Sequence, residues 1–145
     1  MPEQTRALLT WHEGMRFVAR SQSGHGLIVE SPGRDGNLGA GPMELMLIGL
    51  AGCTAIDVVS ILTKMRESVE GLEVEIVGDR AEHHPKYYTS LEFVYRIKGR
   101  VAREKAERAV ELSHSTYCSA LASMRPDCQV HSRIELNGGE GAGTA

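Results

Sequence analysis

From Pro42 to Leu62 the chain is almost continuously apolar, carrying Leu45, Met46, Leu47, Ile48, Leu50, Ile56, Val58, Val59, Ile61 and Leu62. The stretch follows SPGRDGNLGAG (31–41), whose four glycines cannot hold a regular element. It opens on a proline, which at the first position of a helix gives up only an N–H that would have no partner there. The pattern predicts a helix from Pro42 to about Glu67. A helix apolar around most of its circumference is a buried one. Gly49 and Gly52 each cost such a helix about 1 kcal/mol relative to alanine, so their presence predicts a close backbone approach. A chain of 145 residues has little material with which to surround this helix. A second subunit is expected to supply the rest.

The stretch is also nearly long enough to cross a bilayer. Glu44 and Asp57 lie within it, and an aspartate near the centre of a membrane helix costs about 2.5–3.5 kcal/mol. Burial in protein is therefore expected, with no membrane partner. The N-terminus lacks a charged segment followed by an apolar core, so no signal peptide is expected and the default compartment is the cytoplasm.

Three short strands are read before the helix, at 5–12, 16–20 and 26–30, with turns at Gly14 and at 21–24. After it, 72–78 and 88–98 alternate, placing Leu72, Val74 and Ile76 on one face and Leu91, Phe93, Tyr95 and Ile97 on another. RAEHHPKY between them is too long for a tight hairpin. An amphipathic helix is expected over 101–115, with Ala102, Ala106, Ala109 and Val110 inward and a Glu104–Arg108 pair outward. A further helical stretch runs to Arg125, where Pro126 ends it, and a last strand occupies 129–136. The order βββ–α–ββ–α–α–β gives an α+β class, one domain over 1–136, and a glycine-rich tail over 137–145 expected to be disordered. A net charge of −3 and a pI near 6.1 give no reason to expect nucleic acid as a partner.

The chemistry-bearing residues are Cys53, Cys118 and Cys128. A free cysteine is most often a small core residue. Asp57, four residues after Cys53, shares its helix face and would raise the thiol pKa, so a reactive Cys53 would need a compensating cation. Spacing leaves open whether Cys53 and Cys118 meet. Cys128, after a proline turn, reads as a spectator. The three cysteines with His83, His84, His114 and His131 offer metal-ligand types, but none falls in CxxC, HxxxH or HExxH spacing, and neither a metal nor another cofactor is expected.

The runs Gly41-Pro42-Met43-Glu44-Leu45, Gly52-Cys53-Thr54-Ala55-Ile56-Asp57-Val58-Val59-Ser60-Ile61-Leu62 and Tyr117-Cys118-Ser119 resemble the osmotically inducible protein C / organic hydroperoxide resistance (OsmC/Ohr) superfamily. With Trp11-His12-Glu13-Gly14 and Ser23-Gly24-His25, they are similar to its YhfA-like branch. The resemblance spans about residues 5–136. It implies two antiparallel sheets wrapped around central helices in an intertwined homodimer. It also implies a thiol-dependent reductase of organic hydroperoxides or related electrophiles. Cys53 would attack the peroxide, Cys118 would resolve the sulfenic acid to a disulfide, and a lipoylated or other dithiol would reduce that bridge. Peroxidase members place a glutamate just after the helix-opening proline to orient an arginine beside the thiolate. Here Met43 stands in that place, and Arg16 is the candidate arginine. Slower reduction of bulky hydroperoxides is expected from Met43. A binding protein holding a small apolar ligand in the dimer crevice, and a redox-sensing thiol protein, are the alternative readings.

Overall fold

The computed structural model describes residues 2–33 and 35–140. Its elements are β1 (Ala7–Glu13), β2 (Arg16–Ser21), β3 (Gly26–Glu30), α1 (Pro42–Lys64), β4 (Ser68–Arg80), β5 (Tyr88–Arg100), α2 (Arg103–Leu112), a π-helical turn (Ser113–Tyr117), α3 (Ser119–Ala122), β6 (Gln129–Leu136) and β7 (Gly139–Glu140). The expected α+β class and element order are both present. The chain divides into two compact units, 1–46 and 47–145.

In the first unit β1, β2 and β3 form an antiparallel meander, with Trp11 opposite Phe17 and Val18 opposite Ile28. Leu8, Leu9, Trp11, Val18 and Leu27 are exposed in the single chain. The loop that follows folds back on the sheet, and Gly39 lies so close to the Ile28 carbonyl that a Cβ there would collide with it. At the start of α1, Glu44 reaches back to accept from the Gly41 N–H at 3.4 Å. This is the returning half of a capping box, and it accounts for an acidic residue in so apolar a segment.

In the second unit α1 buries Leu50, Thr54, Val58 and Leu62, a stripe four residues apart. Burial all round, as expected, is not found within one chain. Ile48, Ile56 and Val59 are exposed, and a Cβ at Gly49 or Gly52 would meet nothing within 4 Å. The helix stops at Lys64, short of Glu67, because Arg66 turns left-handed (φ 63°). The N–H groups of Arg66 and Glu67 then bond to the carbonyls of Thr63 and Leu62, the pairing of a Schellman stop.

The second sheet has the order β4–β5–β6–β7. Leu91, Phe93, Tyr95 and Ile97 of β5 all point into the core, each no more than 1 % exposed. Leu72, Val74 and Ile76 of β4 are only half-buried. The sheet is mixed rather than wholly antiparallel, since β5 and β6 run parallel. The crossover through α2, the π turn and α3 returns the chain to the end from which β5 began, which is what a parallel neighbour requires. Ala106, Ala109 and Val110 form the buried stripe of α2, whereas Ala102 precedes the helix and is exposed. Arg108 pairs with Glu111 at 3.0 Å rather than with Glu104. The second expected helix shrinks to the four residues of α3. Of the stretch expected as a tail, Asn137–Gly138 form a turn and Gly139–Glu140 pair with β6. Residues 141–145 lie outside the described residues.

Candidate functional site: a dithiol beside a buried hydrogen-bond chain

The site is built where α2 widens into the π turn. The Cys118 N–H bonds to the Ser113 carbonyl at 2.8 Å, closing the wide turn. Single π turns inside helices are frequent at functional sites. Beyond it Cys118 takes an extended conformation and becomes the N-cap of α3, its sulfur accepting from the Leu121 N–H at 3.4 Å.

Cys118 is 4 % exposed. Its sulfur, the Cys53 sulfur and an Asp57 carboxylate oxygen all lie within 4.8 Å of one another. Cysteines 65 residues apart in sequence are thus brought together by α1 and the π turn. Burial pushes the Cys118 thiol up to about 11, with Cys53 and the Asp57 charge adding to the rise and the Leu121 N–H opposing it. Cys118 is therefore a thiol at rest. Three such side chains match the ligand number of an open zinc site, and the two neighbouring sulfurs have the arrangement of a dithiol.

A chain of four hydrogen bonds runs from this pair into the core. Ser113 Oγ lies 2.9 Å from Asp57 Oδ2 and 2.9 Å from Thr54 Oγ1. Thr54 Oγ1 lies 2.8 Å from the Tyr95 hydroxyl, which lies 2.6 Å from His114 Nε2. Each hydroxyl carries one hydrogen and an ionised carboxylate can only accept. Ser113 Oγ is therefore placed to donate to Asp57 Oδ2 or to Thr54 Oγ1, while the Thr54–Tyr95 and Tyr95–His114 links can run either way. Burial favours the uncharged forms at the far end: the Tyr95 phenol is pushed well above its usual range and the His114 imidazolium is disfavoured. The His114 ring also packs edge-on to Phe93.

Among the described residues, a cleft and a cavity border the chain. A cleft of about 410 Å³ is lined by Asp57, Ser60, Ile61, Lys64, Leu112 and Tyr117. At the other end, a cavity of about 840 Å³ is lined by His114, Leu121, Met124, Cys128 and Val130 among others. Cys128 lines this second cavity, and burial raises its thiol pKa as well. His83, His84 and His131 are exposed.

Arg16 belongs to the first unit. Its Nε donates to Glu30 Oε1 at 3.1 Å, its Nη2 lies 3.0 Å from the same oxygen, and its Nη1 lies 3.3 Å from Glu13. Glu30, 6 % exposed, also accepts from the N–H groups of Leu38 and Gly39. The Leu38 N–H is the chief cause that holds its carboxyl below the usual range, with Arg16 assisting against the opposing effect of burial. The resemblance implies a glutamate at position 43 as partner of the arginine; in the structure Arg16 pairs instead with Glu30 of β3. The site residues expected from the sequence include none of Glu30, Ser113, Thr54 and Tyr95. The one available signal was Thr54 and Asp57 as polar interruptions of an apolar helix.

The sequence profile described as OsmC-like protein matches residues 33–133. The chain belongs to the OsmC-like family. Protein YhfA of Escherichia coli K12 is 39 % identical over 132 residues, covering 90 % of this chain and 97 % of that one. A hypothetical protein from Aquifex aeolicus is 29 % identical and superposes with a TM-score of 0.80 over 93 % of this chain and 98 % of that one. An organic hydroperoxide resistance protein OsmC from Legionella pneumophila is 19 % identical, with a TM-score of 0.70 over 91 % and 96 %. By length and apolarity alone α1 could cross a membrane, and its stripe of Leu50, Thr54, Val58 and Leu62 is buried within the chain.

Proposed function

We propose that this OsmC-like protein is a cysteine-based reductase of organic hydroperoxides, working as a homodimer in the cytoplasm. Cys53 attacks the peroxide, Cys118 resolves the sulfenic acid, and a dithiol such as a lipoylated protein reduces the resulting bridge. The single OsmC-like domain of the proposal comprises both units. Arg16, pre-oriented by Glu30, serves to stabilise the Cys53 thiolate. The observation that carries the reading is the approach of Cys53 and Cys118 within 4.8 Å, beside a shared carboxylate. Structural relatives titled organic hydroperoxide resistance proteins, from Legionella pneumophila and Bacillus subtilis, support it at the level of the fold.

The test is thiol titration with and without cumene hydroperoxide, followed by peptide mapping. Loss of two thiols as a Cys53–Cys118 bridge, with Cys128 left free, is expected. Cys128 as the principal bridged residue would refute the assignment. Arg16→Ala should slow both bridge formation and alkylation of Cys53.

A further inference from the structure

Peroxide reduction by a dithiol moves two protons as well as two electrons, and the structure assigns that traffic to Asp57. We propose that its carboxylate is the proton shuttle of the site, held in place by Ser113, Thr54, Tyr95 and His114. The inference rests on the hydroperoxide reading above. A carboxylate oxygen within 4.8 Å of both sulfurs is one side-chain adjustment or one bridging water from either, within the reach expected of an acid–base group in an unliganded site. The same carboxylate lines the cleft through which small molecules can approach.

The steps balance with no outside proton. Cys53 gives its S–H proton to Asp57, and the thiolate attacks the distal oxygen of the hydroperoxide. The S–O bond forms and the O–O bond breaks, its electron pair leaving on the alkoxide. Asp57 returns the proton to that alkoxide, giving the alcohol. The sulfur has lost two electrons and the peroxide has gained them. Cys118 then gives its proton to Asp57 and attacks the Cys53 sulfur. The S–S bond forms, the S–O bond breaks, and the departing hydroxide takes the proton from Asp57 as water. The hydroperoxide is the only oxidant.

The hydrogen-bond chain makes this exchange repeatable. Ser113 Oγ donates to Asp57 Oδ2 at 2.9 Å, and the same hydroxyl is linked through Thr54 to Tyr95 and His114. The carboxylate therefore keeps one fixed donor while its proton comes and goes. Asp57 is the catalytic residue, and the other four are positioning residues.

A mere negative charge and a shuttle predict opposite results for Asp57→Asn. Removing a charge beside the thiols favours thiolate, so alkylation of Cys53 by iodoacetamide at neutral pH should hold or quicken in either case. If Asp57 shuttles protons, cumene-hydroperoxide-driven bridge formation should nevertheless slow by about 10²-fold, the lower range for an acid–base group. Reduction by dithiothreitol of the bridge formed with diamide should slow too. Ser113→Ala, which loosens the carboxylate without removing it, should show a smaller loss with unchanged alkylation, and it carries the test if the asparagine variant does not fold. Bridge formation that quickens in step with alkylation in Asp57→Asn would overturn the proposal. Wild-type protein that bridges with diamide but not with hydroperoxide would sink the peroxidase reading and leave Asp57 to be judged on the dithiothreitol arm. No bridge with either oxidant would overturn both.

Discussion

His114 is the imidazole of the buried chain, and its surroundings fix the sign of its effect. Burial disfavours the imidazolium in the folded protein, so its pKa lies below the ordinary 6.5. The unfolded chain therefore binds a proton first as the pH falls. His114 contributes stability that is fully present above about pH 6.5 and is lost as the pH drops through the folded-state pKa. Melting temperatures measured between pH 7.5 and pH 5 should fall in the wild type and fall less steeply in His114→Gln. Parallel curves for the two proteins would show that the ring is not held neutral. The opposite end of the chain behaves differently. The raised Cys118 pKa puts its contribution below the ordinary thiol value of 9.0, to be lost between there and about 11. Acid and alkaline losses thus belong to different groups, the His114 imidazole and the Cys118 thiol.

At the scale of elements, the β3–loop–α1 segment divides two acidic roles between Glu30 and Glu44. Glu44 caps α1 through the Gly41 N–H, while Glu30 holds Arg16 and gathers the loop through Leu38 and Gly39. The expectation that Met43 handicaps the site rests on an arginine without an anchor and on the Asp57 charge beside Cys53; Arg16 has a carboxylate partner in Glu30. Glu30→Gln should lower the melting temperature. If Arg16 serves the thiolate as proposed, it should also slow alkylation of Cys53 by about tenfold, the scale on which one displaced charge changes thiolate content. Met43→Glu should change alkylation little. A large gain from Met43→Glu, with Glu30→Gln silent, would restore position 43 as the anchor. The contrast shows what sequence could carry. The strands β5 and β6 and the start of α1 were legible because alternation and a helix-opening proline are local signals. Arg66 ended α1 early by a left-handed turn that a non-glycine residue does not announce. Ser113 was invisible because the widening of one helical turn leaves no periodic trace. Glu30 looked like any strand-ending acid, and only the return of a glycine loop made it a buried anchor.

At the scale of the molecule, the single chain leaves uncovered too much apolar surface of one kind. Ile48 is 61 % exposed and Ile56 72 %, on the face of α1 that also presents Gly52 to open space. Leu8, Leu9 and Trp11 of β1 are exposed as well. Scattered apolar residues on a surface need no explanation, but a stripe along a helix marks an interaction surface. A second copy of the chain is the occupant expected from the proposal. Each aliphatic side chain it covers would contribute about 1.5–3 kcal/mol. Light scattering at micromolar concentration should therefore give twice the chain mass, and Ile56→Glu should give the mass of one chain. A monomeric wild type would remove the homodimer. Gly52→Ala supplies a second sign to read. In a helix whose Gly52 faces only solvent, alanine should stabilise by about 1 kcal/mol. If a partner helix lies against that glycine, the added methyl group should destabilise the dimer instead, and the loss should deepen as the protein is diluted less and the dimer is the species that melts.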